Sequence, residues 1–127
     1  MLQHPIVASL PAYSLTKASG TLAVQILANT ITLDTMQIIS FHPGVLHGEY
    51  WEKSGVTEDM LPFDNHNLPG GFAVWACSKE ASFLHGRYVF ASWDVSELAK
   101  GEIRARIDED PEYLRIGMVG MRGPNRA

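Results

Sequence analysis

Hydrophobic positions along this chain fall into a helix-length block, short apolar runs, and one long polar and aromatic interval between them. Residues 12–31 contain no proline and place Leu15, Ala18, Leu22 and Ile26 on one helical stripe, with Val24, Leu27, Ala28 and Ile31 filling much of another. A helix apolar on several faces is expected to pack on more than one side, against a sheet and a second subunit or segment. Residues 36–41, MQIISF, form a short apolar run closed by His42-Pro43-Gly44, which reads as a buried strand ended by a breaker pair. Helix, short link and buried strand is the rhythm of an α/β protein with a parallel sheet.

From Val45 to Asn67 the periodicity dissolves into a loop carrying Tyr50, Trp51, Met60 and Phe63. Loops above about 15 residues in a compact domain are usually lids or binding segments, so 45–67 is expected to be a lid, its aromatics either lining an apolar pocket or merely pinning the loop down. Leu68–Ser78 suits a helix, and Arg87–Ser92 (RYVFAS) a second buried strand. Asp94 with Glu97 forms a capping box. Val95, Leu98, Ala99, Ile103 and Ile107 then continue at helical spacing as one helix, stopped by Asp108-Glu109-Asp110-Pro111. The tail LRIGMVGM is expected to be a short final strand or an extended packing segment.

Composition narrows the function classes. With 127 residues, 46% hydrophobic and 19% charged, the chain suits one soluble domain. Its net charge of −4 and scattered cations argue against a nucleic-acid surface. The lone Cys77 excludes an intrachain disulfide and reads, within AVWACS, as a buried small side chain in a reducing compartment. No apolar run reaches the length of a membrane span, and the N-terminus lacks the basic region of a signal peptide. The expectation is a cytoplasmic protein.

The chemistry gathers at the head of the first helix, in AYSLTKASG. Tyr13 and Lys17 stand four apart, on one helical face about a turn from each other. A free phenol ionises near pH 10, too high for neutral acid–base work. A cation held about 4 Å away favours the phenolate by roughly 4 kcal/mol at an effective dielectric near 20, which brings such a group into the useful range. A tyrosine so tuned can exchange a proton with a carbonyl or alcohol oxygen. Pro43-Gly44 follows the buried strand's carboxyl end, where ligands bind in open α/β sheets. Ser14 with Lys17 also matches S-x-x-K, with a faint echo of a further motif in Lys53-Ser54-Gly55, but no S-D-N-like element lies between them. The five histidines form no H-x-x-x-H or H-E-x-x-H pair, so no metal site is expected.

AYSLTKASGTLAVQ, IISFHPGV and LPGGFAVWACSKEASFLHGRYVFASWDVSEL, in that order and spacing, resemble the C-terminal half of a fungal short-chain dehydrogenase/reductase. The resemblance implies the C-terminal part of a Rossmann-type, doubly wound parallel sheet, with the cofactor-binding βαβ unit missing from this single partial domain. It implies that Tyr13 is the general acid/base, and that Lys17 supports the phenolate and hydrogen-bonds the nicotinamide ribose. Pro43, Gly44 and Val45 would lie against the nicotinamide. The implied cofactor is NADP, or NAD, with a small organic substrate that interconverts between carbonyl and alcohol. Departures are equally specific. The family's serine falls at or before Met1, and Ser9 is too near Tyr13 to replace it. The glycine-rich pyrophosphate turn and the relay asparagine have no counterpart here. Gly48 stands where a threonine often follows the Pro-Gly pair. The alternative is a truncated, catalytically inactive relic serving as an interaction or scaffold protein. Under either reading, helix 12–31 is the candidate surface for a homo-oligomer.

Overall fold

The computed structural model describes residues 10–117. In chain order the elements are helix α1 (Pro11–Thr30), strand β1 (Ser40–His42), helix α2 (Glu49–Lys53), helix α3 (Asn67–Ala76), a 3-10 turn (Lys79–Leu84), strand β2 (Tyr88–Phe90), and helices α4 (Val95–Lys100) and α5 (Glu102–Glu109). The two strands pair in parallel, with Ser40 opposite Tyr88, Phe41 opposite Val89 and His42 opposite Phe90. The chain is therefore α/β with a small parallel sheet. A parallel pair requires a crossover, and α2, α3 and the 3-10 turn supply it.

The core lies where β2 meets α3, α4 and α5. Leu84, Val89 and Leu98 are fully buried, joined by Phe72, Ala76, Ala91 and Ile107. Phe72 and Ala76 are four apart on α3, so one face of that helix supplies both. Phe41 of β1 closes the packing against Phe72, with ring centroids 5.0 Å apart.

Several elements differ from their sequence patterns, each for a local reason. β1 is shorter than the apolar run 36–41. Upstream of it, the Ile38 N–H donates to His85 Nδ1 at 3.2 Å, and the Ile38 carbonyl accepts from Gly86 N at 2.8 Å, a turn rather than a strand partner. The single helix expected to begin at Asp94 is two. Asp94 caps the first by accepting from Ser96 N at 2.7 Å and Glu97 N at 3.4 Å. Gly101 then takes an extended backbone and its N–H closes the helix on Glu97 O at 2.8 Å. Cys77 is exposed, not buried, because the inward face of α3 is already taken by Phe72 and Ala76.

The long helix departs most. Among the residues of α1 only Ala28 is buried, while Leu15 is 70% and Ile26 55% exposed. The several-sided packing expected for it is not made by the described residues. The tail forms no strand through Gly117. Leu114 sits instead in a turn, at φ 62°, and its carbonyl accepts from Tyr88 N at 2.8 Å. The rest of that tail, and Ser9, lie outside the described residues.

Candidate active site

Helix α1 begins at a proline, whose missing N–H costs nothing in the first turn. The serine and threonine hydroxyls that follow bond back into the helix. Ser14 Oγ donates to Leu10 O at 2.9 Å, Thr16 Oγ1 to Tyr13 O at 2.7 Å, and Thr21 Oγ1 to Lys17 O at 2.9 Å. Ser14 thereby spends its proton on the backbone, which argues against the S-x-x-K nucleophile. Tyr13 and Lys17 come together as their spacing predicts. The ammonium lies over the phenol ring, 5.4 Å from its centroid, on a surface where Tyr13 is 51% exposed.

The second half of the helix is tied to the tail and to the chain before β1. Gln25 exchanges two hydrogen bonds with the Ile116 backbone, at 3.1 and 2.8 Å, and Arg115 Nη1 donates to Asn29 Oδ1 at 2.9 Å. His85 Nε2 lies 3.0 Å from both the Ala28 and Ile31 carbonyls while its Nδ1 faces Ile38 N. Nδ1 accepts from an N–H, so Nε2 carries the proton and donates. This one ring joins the end of α1 to the chain leading into β1.

Beside the first half, a groove of about 420 Å³ opens between α1 and the sheet. Thr16, Lys17, Gly20 and Val24 line one wall; Ile39, Ser40, Phe41 and Tyr88 line the other. Burial first, and then the nearby Tyr13, push the Tyr88 phenol above its ordinary range. Tyr88 escaped the motif reading because it belongs to the apolar strand run. The groove shows it only once β2 is paired.

Pro43, Gly44 and Val45 form a turn leaving the carboxyl end of β1, with Gly44 in the left-handed region at φ 97°. The hydrogen bonds of this turn go to its own neighbourhood. Gly44 N donates to His42 Nδ1 at 3.0 Å and Val45 N to Asp64 Oδ2 at 2.8 Å, while Asp64 N returns a bond to Val45 O at 2.7 Å. Neither Pro43, Gly44 nor Val45 lines the groove beside Lys17. The turn and the dyad therefore occupy neighbouring regions of the sheet rather than one shared cavity. Asp64 lies 19 residues from Val45, and no local pattern announces it.

The 45–67 interval is less open than its composition suggests. It contains α2, and Trp51 packs against Phe63 at 5.5 Å and Phe63 against His47 at 5.0 Å. His47 Nε2 lies 2.8 Å from Val56 O. A larger groove, about 510 Å³, sits at the amino ends of the strands around Leu33, Phe83, Arg87 and Arg104. Its arginines are engaged, Arg87 with the Phe83 and Ile107 carbonyls and Arg104 with Asp108, and it lies away from the dyad. Among the described residues, no three His, Cys, Asp or Glu side chains converge to hold a metal, and no helix is long and apolar enough to cross a membrane.

Comparison with known proteins adds an independent line. The chain is 43% identical over 84 residues to the short chain dehydrogenase/reductase nsrO of Aspergillus novofumigatus, covering 66% of this chain and 28% of that protein. It is 35% identical over 111 residues to AacuD, a short chain dehydrogenase/reductase of Aspergillus aculeatus, covering 84% of this chain and 37% of the relative. A short chain dehydrogenase/reductase of Claviceps purpurea matches at 37% over 111 residues, 84% of this chain and 36% of that protein. The chain thus spans about a third of the length of these curated relatives. No family profile matches it, and no solved structure does.

Proposed function

Because this chain belongs to the short-chain dehydrogenase/reductase family, we propose that it carries the proton-transfer side of an NADP(H)-dependent oxidoreductase interconverting a carbonyl and an alcohol. The observation that carries this reading is the Tyr13–Lys17 pair on one helical face, the ammonium 5.4 Å from the phenol ring centroid and Lys17 on the wall of the groove between α1 and the sheet. Tyr13 is the general acid/base. Its phenol gives a proton to the substrate oxygen in reduction and recovers it in oxidation. Lys17 favours the phenolate electrostatically and, from the groove wall, reaches a ribose hydroxyl.

The residues present fit one end of a dinucleotide. The groove offers the Lys17 ammonium, the Ser40 position and the apolar Val24, Ile39 and Phe41. That is a donor set for a sugar beside a flat ring. When bound, the nicotinamide supplies the hydride chemistry. The turn Pro43–Gly44–Val45, at the carboxyl end of β1, is the surface that would meet the ring. The pyrophosphate platform belongs, in this reading, to the part of the relatives that the chain does not span. NADP, rather than NAD, is the cofactor proposed. The 45–67 interval would cover a small organic substrate.

A second reading has its own observation. Leu15, Leu22, Ile26 and Leu27 are exposed along α1, an apolar surface that favours association with another protein or a second copy. On this reading the chain is an inactive relic that acts as a scaffold.

A chimera separates the two. When this chain replaces the matching third of the Aspergillus aculeatus relative, NADPH-dependent carbonyl reduction should be retained. Tyr13→Phe should then lower kcat at least about 100-fold, the scale of a lost general acid. Lys17→Met should lower kcat and raise the KM for NADPH together. An active chimera that keeps near-full turnover without the Tyr13 hydroxyl contradicts the proposal. A chimera that folds but never turns over supports the scaffold.

A further inference from the structure

The two ends of the 45–64 interval meet at one carboxylate. Val45 N donates to Asp64 Oδ2 at 2.8 Å, and Asp64 N donates to Val45 O at 2.7 Å. The bridge is thus closed in both directions by residues 19 apart. A second contact lies just beside it, where His66 Nε2 is 3.0 Å from the His47 carbonyl. Between these ends, Trp51, Phe63 and His47 pack on one another, so the interval is a loop with a pinned neck and a filled interior.

The same carboxylate fills the space beside Gly44. A Cβ at that position would lie 2.5 Å from Asp64 Oδ2 and 3.0 Å from Asp64 Cγ, and Gly44 has φ 97°. Glycine is therefore required twice, by backbone conformation and by the approach of Asp64. A charged acceptor on a backbone N–H is stronger than a neutral one and fixes the direction of the peptide that donates. The peptide fixed here joins Gly44 to Val45.

We infer that Asp64 is the positioning residue of the Pro43–Gly44–Val45 turn, a clasp through which closure of the 45–64 loop sets the backbone facing the proposed nicotinamide ring. The functional part of this inference rests on the reading of that turn given above. The clasp itself does not. Lifting the loop must release Val45, and disturbing Val45 must loosen the loop.

Amide hydrogen exchange on the full 127-residue chain tests it, with limited proteolysis of residues 46–63 run in parallel. In Asp64→Ala, exchange at Val45 and cleavage of the loop should both rise at least about tenfold, the scale of one lost charge-assisted hydrogen bond. The Val89 and Leu98 amides should keep their protection. Asp64→Asn retains an acceptor oxygen at the same reach and should restore most of both effects. Gly44→Ala attacks the clasp from the other side and should also free Val45. Its effect should shrink when combined with Asp64→Ala, since the two nearest atoms, Asp64 Oδ2 and Cγ, are then gone. Unchanged exchange at Val45 in Asp64→Ala, or loop cleavage rising while Val45 stays protected, overturns the clasp. Loss of protection at Val89 and Leu98 together with Val45 overturns it too, because Asp64 would then hold the whole fold. None of these readouts involves NADPH, so failure of the clasp and failure of the proposed function are told apart.

Discussion

Tyr88 shows at the scale of one residue how the groove couples to stability. Its phenol is about half buried beside Tyr13, and both burial and that neighbour favour the neutral form. The folded state therefore holds this proton more tightly than the unfolded chain does. Stability from this source is complete below the ordinary phenol range, near pH 10, and is lost as pH rises through the higher folded value. Tyr88→Phe should consequently flatten the loss of stability above about pH 10, measured as the urea midpoint against pH. An identical alkaline slope in the variant would show that Tyr88 does not titrate in this way. The dyad itself was legible in the sequence, since i and i+4 share a helical face whatever surrounds them. Tyr88 and Asp64 were not. One acts through pairing of strands far apart in the chain, and the other through a bridge across 19 residues.

Among the elements, the break between α4 and α5 shows where periodicity misleads. Val95, Ala99, Ile103 and Ile107 step by four residues, so the apolar pattern runs through Gly101 without interruption. The backbone nonetheless turns there, with Gly101 extended, and a Cβ on it would lie 2.9 Å from the Glu97 carbonyl oxygen. Glycine permits that approach and alanine does not. Gly101→Ala should destabilise the protein by about 1–3 kcal/mol, as overpacked sites do. The measurement is equilibrium urea unfolding. An equal or raised midpoint would mean that the two helices fuse into the one that the pattern suggests. The long helix, the two strands, their parallel pairing and the Asp94 cap were readable from local pattern, whereas α2, the 3-10 turn and the break at Gly101 were not. The length of β1 was not, because the partners of Ile38 are a histidine ring and a turn N–H.

For the whole molecule, helix α1 is the organising element. Its second half is tied by Gln25, Ala28 and Asn29, while its first half presents Tyr13, Lys17 and bare apolar positions beside the groove. The sequence correctly marked this helix as apolar on several faces, but the described residues leave most of those faces uncovered. With the chain spanning about a third of its relatives' length, the account divides the chemistry. Under the proposed function, proton transfer and the ring-side turn lie in this segment and most of the dinucleotide affinity lies in the rest of such a protein. In this fold that affinity comes largely from pyrophosphate at a glycine-rich helix N-terminus. Under that proposal, a lysine, a Pro-Gly turn and an apolar contact are expected to contribute less than the roughly 4 kcal/mol that even millimolar binding requires. The direct test is a fluorescence titration of NADPH against the purified 127-residue chain. The account predicts no saturable change up to about 1 mM. Saturable binding in the micromolar range would contradict it, by showing that this segment builds a complete cofactor site by itself.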